Sequence, residues 1–354
     1  MPALRSAYPI LERVAYLNAG TDGPVPQAAQ AASARELAAQ VEQGRTTAHF
    51  ERRFELQDAL RSGYAELLGA DVADVALSTS TSEGIGKVLA GLDVGPDDEI
   101  VTSTDEHPGL IGPLIAARAR GATIRAVPFA ELAGAVGPAT TLVATSHVNW
   151  RTGQIAPPEL ADPGVPLILD GAQGAGAIPV DVVKLECAAY AASGQKWLCG
   201  ADGTGMLYLA PEFRERVRAI APSYMSFADA SRGFESELKP DARRYDTPSL
   251  AREVVAFSLA ALDVLRAADL SAVLARGPVL AATLAERLAA HGRTVATRDH
   301  TTLVAWEDDD PEAARDRLAA ADVVVRNLPG TPYVRASVGA WSSEDDLERL
   351  LAAL

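Results

Sequence analysis

The amino-acid sequence predicts an α/β protein with a large domain, built on a mostly parallel seven-stranded sheet, and a smaller α+β domain at the C-terminus. Short β-rich runs alternate with helical stretches rich in Ala, Leu and Arg, which is typical of a sheet covered by helices on both faces. The apolar run 167–169 ends at Asp170, as expected of a strand buried on both faces. The length of 354 residues also exceeds what one compact core usually holds.

Seven strands are predicted for the large sheet. They span residues 75–80, 99–103, 123–129, 141–148, 166–173, 187–193 and 203–210. Residues 222–248 are predicted to form a long irregular segment, and a long loop in a compact domain is usually functional. Apolar residues recur at helical spacing from 252 to 290, which predicts a connecting helix followed by a second one.

The C-terminal part is predicted as strand, helix, strand, strand and helix. These elements span residues 301–306, 311–321, 323–326, 333–338 and 344–351. We therefore expect a large domain at residues 15–250 and a small domain at residues 251–354. The segment 1–14 is expected to pack against the small domain.

Charge and composition argue against several classes of function. The formal net charge is −15, and an acidic surface repels polyphosphate, so no nucleic-acid partner is expected. The first 17 residues include Arg5, Glu12 and Arg13 and lack the apolar core of a signal peptide, and no uncharged run is long enough to span a membrane. Cys187 and Cys199 form neither a disulfide framework nor a metal-binding pattern. The sequence therefore predicts a cytoplasmic protein without a metal or a membrane partner.

A lysine stands at an unusual place in segment 192–200 (Ala-Ser-Gly-Gln-Lys-Trp-Leu-Cys-Gly). Lys196 follows an apolar strand and precedes a Gly-rich turn, which is an odd position for a solvent-exposed residue. Lysine is the residue that forms imines with pyridoxal phosphate (PLP). The alternative is an ordinary surface lysine at the end of a strand.

Two further segments would complete a PLP site. Asp170 closes the preceding apolar strand, and PLP needs a carboxylate beside its pyridine nitrogen because the negative charge keeps that nitrogen protonated and electron-withdrawing. The run 78–84 (Ser-Thr-Ser-Thr-Ser-Glu-Gly) lies between a strand and a helical stretch, where free N–H groups and the helix dipole favour a phosphate. Both segments could instead serve only as helix caps.

In their order and spacing these segments resemble the class V aminotransferase family of fold-type I PLP-dependent enzymes. The resemblance extends from segment 16–20 (Tyr-Leu-Asn-Ala-Gly) to segment 334–337 (Val-Arg-Ala-Ser), nearly the whole chain. The family includes cysteine desulfurases, cysteine and cystine C–S lyases, isopenicillin N epimerase-like proteins and kynureninase. The resemblance implies the fold-type I architecture, PLP as the cofactor and a small α-amino acid as the substrate.

The resemblance also implies the residues around the cofactor ring. Lys196 would form the Schiff base with PLP. Asp170 would face the pyridine nitrogen, and Gln173 would face the ring hydroxyl. His107 would stack on the ring and counts, with Lys196 and Asp170, among the catalytic residues.

Phosphate and substrate ligands follow from the same resemblance. The residues expected at the phosphate are Thr81, Ser82, Ser193, Gln195 and Thr247. The last would come from a neighbouring subunit, which implies a homodimer. Arg335 would bind the substrate carboxylate, because a guanidinium fork matches its two oxygens; an arginine in a strand-face ion pair is the alternative. Asn18, Trp150 and Tyr224 are expected at the substrate side chain.

The reaction type stays open at this point. Desulfurases carry a nucleophilic cysteine shortly before the carboxylate-binding arginine, and segment 326–335 contains none, which disfavours persulfide-forming chemistry. Cys187 and Cys199 are predicted to be small buried residues. Segment 326–335 resembles the corresponding loop of cysteine and cystine lyases, which favours C–S β-elimination. Transamination and epimerisation are the alternative reactions, and a PLP-fold protein without catalysis is the alternative from another class.

The segment 146–153 (Ser-His-Val-Asn-Trp-Arg-Thr-Gly) departs from the desulfurase pattern. Desulfurases commonly have an asparagine, directed at the ring hydroxyl, where Trp150 stands in this chain. The roles of Asn149 and Arg151 stay open.

Overall fold

The structure is a computed structural model that describes residues 2–161 and 164–354. The α-helices in these residues are α1 (Pro2–Ser6), α2 (Gln27–Gln43), α3 (Thr47–Leu68), α4 (Thr81–Gly91), α5 (Pro108–Ala119), α6 (Leu132–Ala135), α7 (Pro211–Arg214), α8 (Arg252–Ala267), α9 (Leu270–Ala290), α10 (Pro311–Ala320) and α11 (Glu344–Ala352). The strands are β1 (Ala15–Tyr16), β2 (Val75–Ser78), β3 (Glu99–Ser103), β4 (Thr123–Val127), β5 (Thr140–Ser146), β6 (Leu167–Asp170), β7 (Ala189–Ser193), β8 (Gly205–Leu209), β9 (Leu303–Glu307), β10 (Val323–Val324), β11 (Arg326–Asn327) and β12 (Tyr333–Ser337).

The large sheet has the strand order β2-β8-β7-β6-β5-β3-β4. Neighbouring strands from β7 to β4 are parallel, whereas β8 is antiparallel to both β7 and β2. The predicted mostly parallel seven-stranded sheet is confirmed, and each predicted run overlaps one observed strand. The run 166–173 ends early, at Asp170, because the chain then turns closely over Tyr190. A Cβ atom on Gly171 would lie 2.0 Å from the Tyr190 ring, so only glycine fits this turn.

Side chains of the central strands alternate between two hydrophobic cores. Leu167 and Leu169 of β6 belong to the core shared with α3 and α8, whereas Ile168 belongs to the opposite core, shared with α4 and α5. Helices therefore cover both faces of the sheet, as predicted. This arrangement leaves the carboxyl ends of the parallel strands as the natural place for a ligand.

The C-terminal part contains a three-stranded antiparallel sheet in the order β11-β12-β9, and β1 pairs in parallel with β10. The prediction of one strand over residues 323–326 is wrong. Val323–Val324 pairs with the N-terminal β1, whereas Arg326–Asn327 pairs with β12, because the chain changes sheets at the buried Val325. The predicted helices α8 and α9 are confirmed, and segment 222–248 is irregular apart from short 3-10 turns.

The N-terminal segment contacts both parts of the molecule. Arg5 donates to the Asp346 carboxylate at 2.6 Å. Farther along, Asn18 forms a bridge with Ser337 at the end of β12, and the Gly23 N–H donates to the Gln195 carbonyl at 2.8 Å. Residues 18–23 therefore run between β12 and the loop that follows β7. None of the helices in the described residues is both long and apolar enough to cross a membrane.

Candidate active site

The carboxyl ends of β6 and β7 bring Asp170 and the lysine segment to one edge of the sheet. Asp170 lies opposite Ala191 in the parallel register of these two strands, and Lys196 follows β7 by three residues. The connection that carries Lys196 can be short because the next strand, β8, is antiparallel to β7. The two residues expected at the cofactor ring thus share the edge where ligands bind in such sheets.

The amine of Lys196 is partly buried and has an altered pKa. Burial lowers the pKa of Lys196 to about 8, and the charges of Arg335 and Arg326 lower it further, whereas Asp170 and Asp22 oppose the shift. The neutral amine is the form that attacks a carbonyl carbon. A pKa near 8 therefore makes a useful fraction of Lys196 nucleophilic close to neutral pH.

The carboxyl group of Asp170 is buried at the end of β6. Burial raises the pKa of Asp170, while the charge of Lys196 and a hydrogen bond from the Ala172 N–H, at 2.9 Å, lower it. A buried carboxylate is stable only beside a positive charge or several hydrogen-bond donors. A protonated pyridine nitrogen would be a suitable partner for this group.

The start of α4 brings together two of the expected phosphate ligands. The Thr81 N–H donates to the Ser193 hydroxyl oxygen at 3.0 Å, and the two hydroxyl oxygens are 2.8 Å apart. Ser82 is exposed in the same turn, close enough to Gly109 that a Cβ atom there would lie 2.4 Å from the Ser82 hydroxyl oxygen. The starts of α4 and α5 are therefore adjacent, and their N–H groups and dipoles favour an anion.

His107 lies at the start of α5 as a neutral side chain. Its Nδ1 accepts a hydrogen bond from the Gly109 N–H at 3.1 Å, which leaves the ring proton on Nε2. Burial, aided by the charge of Lys196, lowers the pKa of His107 to about 4. The Trp150 ring meets the imidazole edge-to-face at 5.2 Å and is itself held by a 2.7 Å hydrogen bond to the Asp105 carbonyl. A flat, uncharged ring with a fixed orientation is suited to stacking.

Arg335 on β12 is a buried guanidinium without a carboxylate partner in the described residues. The side chain is 1% exposed; its Nη1 donates to the Trp150 carbonyl at 2.5 Å, and its Nε and Nη2 have no hydrogen-bond partner. Burial, reinforced by Arg326, lowers the pKa of Arg335 to about 9. A Cβ atom on Gly20 would lie 2.9 Å from Nη2, so glycine leaves room beside it. Because an unpaired buried charge is costly, this arrangement favours binding of a carboxylate.

Two glutamines near this edge of the sheet differ in the hydrogen bonds of their side-chain amides. The Gln173 Nε2 donates to the Gly20 carbonyl at 2.8 Å, and its Oε1 accepts from the Trp197 indole at 3.0 Å. The Gln195 Oε1 is buried without a partner in the described residues. Gln173 is thus held in place by the protein, whereas Gln195 still has a free acceptor.

Two charged residues at this edge, Arg326 and Asp22, were not predicted from the sequence. Arg326 lies directly opposite Arg335 in the β11–β12 pairing, and its guanidinium donates to the Thr21 hydroxyl oxygen at 3.3 Å. The Thr21 hydroxyl in turn donates to the expected Asn18 at 2.8 Å. The sequence could have indicated Arg326, because it begins segment 326–335, which ends at Arg335 and folds back on itself. Asp22 gave no comparable signal, because its proximity to Lys196 depends on the path of the N-terminal segment.

Thr247 lies against the first turns of α4 in its own chain. Its hydroxyl donates to Glu83 at 2.5 Å and accepts from the Lys87 amine at 2.8 Å, and its N–H donates to the Leu77 carbonyl at 2.9 Å. Burial raises the pKa of Glu83, but hydrogen bonds from Thr247, Lys87 and the backbone outweigh it and lower that pKa to about 2. Thr247 is therefore fixed beside the helix that begins at Thr81.

Three other residues considered from the sequence have contacts within the chain. The Asn149 side-chain oxygen accepts from the N–H of Arg151 at 2.9 Å, as in a turn. The Arg151 guanidinium pairs with Asp105 at 3.1 Å. Tyr224 is exposed, and its hydroxyl accepts from Arg53 of α3 at 2.9 Å. These contacts give Asn149 and Arg151 a structural role in holding the loop that carries Trp150.

The arrangement fits the aldehyde, the ring nitrogen and the phosphate of PLP. A partly buried amine of lowered pKa suits its aldehyde, a buried carboxyl suits its ring nitrogen, and adjacent helix starts with hydroxyl groups suit its phosphate. The Nε and Nη2 atoms of Arg335, which have no partner in the described residues, suit the carboxylate of an amino acid. The fold and this edge together define a PLP-dependent enzyme.

Comparison with known proteins agrees with this class. Residues 16–350 match the model of the family described as aminotransferase class-V. The chain belongs to the class V aminotransferase family, as the sequence predicted. Its cofactor is therefore PLP.

Individual relatives and solved structures cover most of the chain. Isopenicillin N epimerase of Streptomyces clavuligerus is 30% identical over 334 residues, which are 83% of this chain and 82% of that protein. A probable cysteine desulfurase of Pseudomonas aeruginosa is 30% identical over 349 residues, 86% of this chain and 83% of that protein. The cystine C–S lyase C-DES, solved in complex with its reaction product cysteine persulfide, superposes with a TM-score of 0.89 at 27% identity over 98% of both chains.

Proposed function

We propose that this protein is a C–S lyase that removes a β-sulfur substituent from a cysteine-type amino acid. The observation that carries the proposal is the buried Arg335, which has two donor atoms without a partner in the described residues and whose charge acts on Lys196. Arg335 can bind the α-carboxylate of a substrate, and Lys196 can take the neighbouring α-proton. The likeness to a cystine C–S lyase over 98% of both chains supports this choice of reaction.

In this proposal the residues around PLP have distinct tasks. Lys196 would hold the aldehyde carbon, Asp170 would keep the ring nitrogen protonated, and His107 would stack on the ring. When bound, PLP stabilises negative charge at the substrate Cα, which allows a β-substituent to leave. Lys196, once released, would take the Cα proton, and its pKa of about 8 suits a base working near neutral pH. Arg335 would set which Cα substituent faces the amine.

The cysteines of this chain do not support a thiol nucleophile. Both are buried, which confirms the prediction made from the sequence. Burial raises the pKa of Cys187 to about 12 and raises that of Cys199 as well. Since the thiolate is the nucleophilic form, neither residue is suited to take sulfur from a substrate. Elimination needs no such residue.

Epimerisation is the second candidate function, favoured by the 30% identity with an epimerase over 83% of this chain. A panel of cysteine, cystine and S-substituted cysteines distinguishes the two. We expect the purified holoenzyme to release pyruvate and ammonia without a 2-oxo acid acceptor. Exchange of the α-hydrogen with solvent and inversion at Cα without pyruvate would contradict the lyase proposal, as would conversion of the bound cofactor to its pyridoxamine form.

Replacing Arg335 by alanine should raise KM and lower kcat/KM, because the substrate carboxylate loses a charged, two-point partner. Loss of such a hydrogen bond is worth roughly 1.5–3 kcal/mol, or about one to two decades in kcat/KM. Arg335→Lys keeps the positive charge but lacks the two parallel donors of the guanidinium. It should therefore recover only part of the lost kcat/KM. Steady-state kinetics check this, with circular dichroism as the control for folding. An unchanged kcat/KM in both variants would remove Arg335 from the substrate site.

We further propose that the active unit is a homodimer in which Thr247 reaches the phosphate of the neighbouring subunit. The test mixes Lys196→Ala protein with Thr247→Ala protein after both are dissociated and reassembled. In a mixed dimer the Lys196→Ala subunit supplies an intact Thr247 to the site that keeps Lys196, so activity should exceed that of either variant alone. Activity no higher than that of the two separate variants would instead place Thr247 at the phosphate of its own subunit, where it already contacts α4.

A further inference from the structure

Glu106, the residue before His107, is buried among neutral hydrogen-bond donors. The side chain is 2% exposed. Its Oε1 accepts from the Thr145 hydroxyl at 2.6 Å and from the Ser146 N–H at 3.0 Å, and its Oε2 lies 2.5 Å from the Ser146 hydroxyl oxygen. Its hydrogen-bond partners in the described residues, Thr145 and Ser146, are all neutral. An ionised carboxylate in such a place is costly, because burial removes water and no positive charge replaces it.

Glu106 is also close to Asp170 through the sheet. Ser146, whose N–H and hydroxyl both contact Glu106, is the residue directly opposite Asp170 in the β5–β6 register. The next residue, His147, donates its N–H to the Asp170 carbonyl at 2.8 Å. Two buried acidic side chains thus lie on either side of the end of β5, with Glu106 following β3 and Asp170 closing β6. The negative charge of Asp170 adds to burial in disfavouring an ionised Glu106, so Glu106 is the one of the two that retains a proton.

We propose that Glu106 is a positioning residue that holds this proton at neutral pH and so leaves the negative charge of the pair on Asp170, where it faces the cofactor ring. The inference rests on the proposed role of Asp170. In its protonated form Glu106 can donate to the Ser146 hydroxyl oxygen while it still accepts from Thr145 and the Ser146 N–H. When Glu106 ionises, a second negative charge appears behind Asp170 and changes the electric field at the ring.

Among the groups around the pair, Glu106 is the carboxyl group with a pKa near 7, and Lys196 has a pKa of about 8. Burial raises the pKa of Glu106 to about 7, and Asp170 adds to the shift, while the hydrogen bonds from Ser146 and Thr145 oppose it. His147 at the end of β5 and His107 beside Glu106 have pKa values lowered to about 4, mainly by burial, so both are neutral in this range. Two further charged groups are Lys196, whose charge acts on Asp170, and Asp105, the residue before Glu106, which pairs with Arg151.

The direction of the pH effect on stability follows from this shift. The pKa of Glu106 rises from 4.5 to about 7 on folding, so the native protein keeps a proton that the unfolded chain has already lost between these values. This group therefore stabilises the fold at low pH, and its contribution is lost as pH rises through about 7. Glu106→Gln is uncharged at every pH and should lack that decline.

The test compares the wild-type holoenzyme, Glu106→Gln and the matched control Asp105→Asn, which removes a neighbouring carboxylate that faces Arg151. Tm and the visible absorbance of the bound cofactor are followed from pH 5 to pH 9. We expect the Tm of the wild type and of Asp105→Asn to fall relative to that of Glu106→Gln as pH rises through about 7. We also expect the cofactor absorbance of the first two proteins to change over the same interval, with no such change in Glu106→Gln.

Two outcomes would overturn the inference. Parallel Tm profiles for the wild type and Glu106→Gln would mean that Glu106 is ionised throughout. A Tm difference without any difference in cofactor absorbance would mean that its proton does not act on the ring. If Glu106→Gln does not fold, infrared spectra of wild-type protein with ¹³C-labelled glutamate decide, since a protonated carboxyl band should disappear around pH 7. Neither result depends on which amino acid is turned over, so failure of the lyase proposal would be recognised separately in the substrate panel.

Discussion

Replacing Lys196 by alanine should abolish turnover and the visible absorbance that marks a cofactor bound to lysine. The physical reason is that one amine serves two tasks, holding the cofactor and moving the Cα proton. Loss of the proton transfer alone costs about 10²–10⁴-fold in rate. The helix starts and hydroxyls that suit the phosphate are unchanged, so PLP should still bind without a covalent bond. Absorbance spectra and pyruvate release from the purified variant measure both effects.

The matched control for this variant is Lys184→Ala. Lys184 is exposed, and its amine pairs with Asp181 of its own surface turn, so its removal should change neither the spectrum nor turnover. Removal of the Lys196 amine should not unfold the protein, because burial already disfavours its charged form. A folded Lys196→Ala protein that retains the lysine-bound absorbance and full activity would refute the assignment of the cofactor-binding residue.

Much of the fold could be predicted because its signals are local. The apolar run 167–169 ends in a charged residue, and this pattern alone identifies a buried strand and the end that faces a ligand. Parallel strands share one edge for their carboxyl ends, so Asp170 and the segment after β7 had to meet once both strands were recognised. The hydroxyl-rich run 78–84 lies at the same edge because it also follows a strand, β2.

Other features depend on contacts between distant segments, and no local pattern reports them. The chain at Val325 changes from one sheet to another because β1, some 300 residues earlier, offers a pairing edge to β10. Asp22 comes near Lys196 only because Gly23 bonds to Gln195. No local pattern in the sequence identifies Glu106 either, because its partners Thr145 and Ser146 belong to another strand.

A second large effect is expected on stability, from replacing Asp246 by alanine. Asp246 forms a buried two-point ion pair with Arg61, with both contacts at 2.8 Å, and one of its oxygens also accepts from the Leu77 N–H at 2.9 Å. Alanine would leave the buried Arg61 charge with two partners among the described residues, the Val75 carbonyl and the more distant, exposed Asp58. Breaking one partner of a buried pair typically costs about 3–5 kcal/mol. Urea unfolding should show a loss of this size.

The comparison with an exposed pair isolates the effect of burial. Asp181→Ala removes the partner of Lys184 at the surface and should cost far less stability, because water solvates the lysine left behind. A loss for Asp246→Ala as small as that would mean that Arg61 finds water or another partner. PLP affinity should fall together with stability in Asp246→Ala, since Asp246 fixes the position of the adjacent Thr247.

The double variant Arg61→Met/Asp246→Leu separates the cost of an unpaired charge from the value of the pair itself. Replacing a buried ion pair by apolar side chains of similar size is often neutral, because both charges avoid the loss of water on folding. We therefore expect the double variant to unfold at a higher urea concentration than Asp246→Ala, although it has lost more hydrogen bonds. If it recovers stability but not PLP affinity, the pair serves to place the segment that carries Thr247 rather than to hold the fold together. If it recovers neither, the hydrogen bonds to Leu77 and Val75 contribute more than the avoided burial of charge.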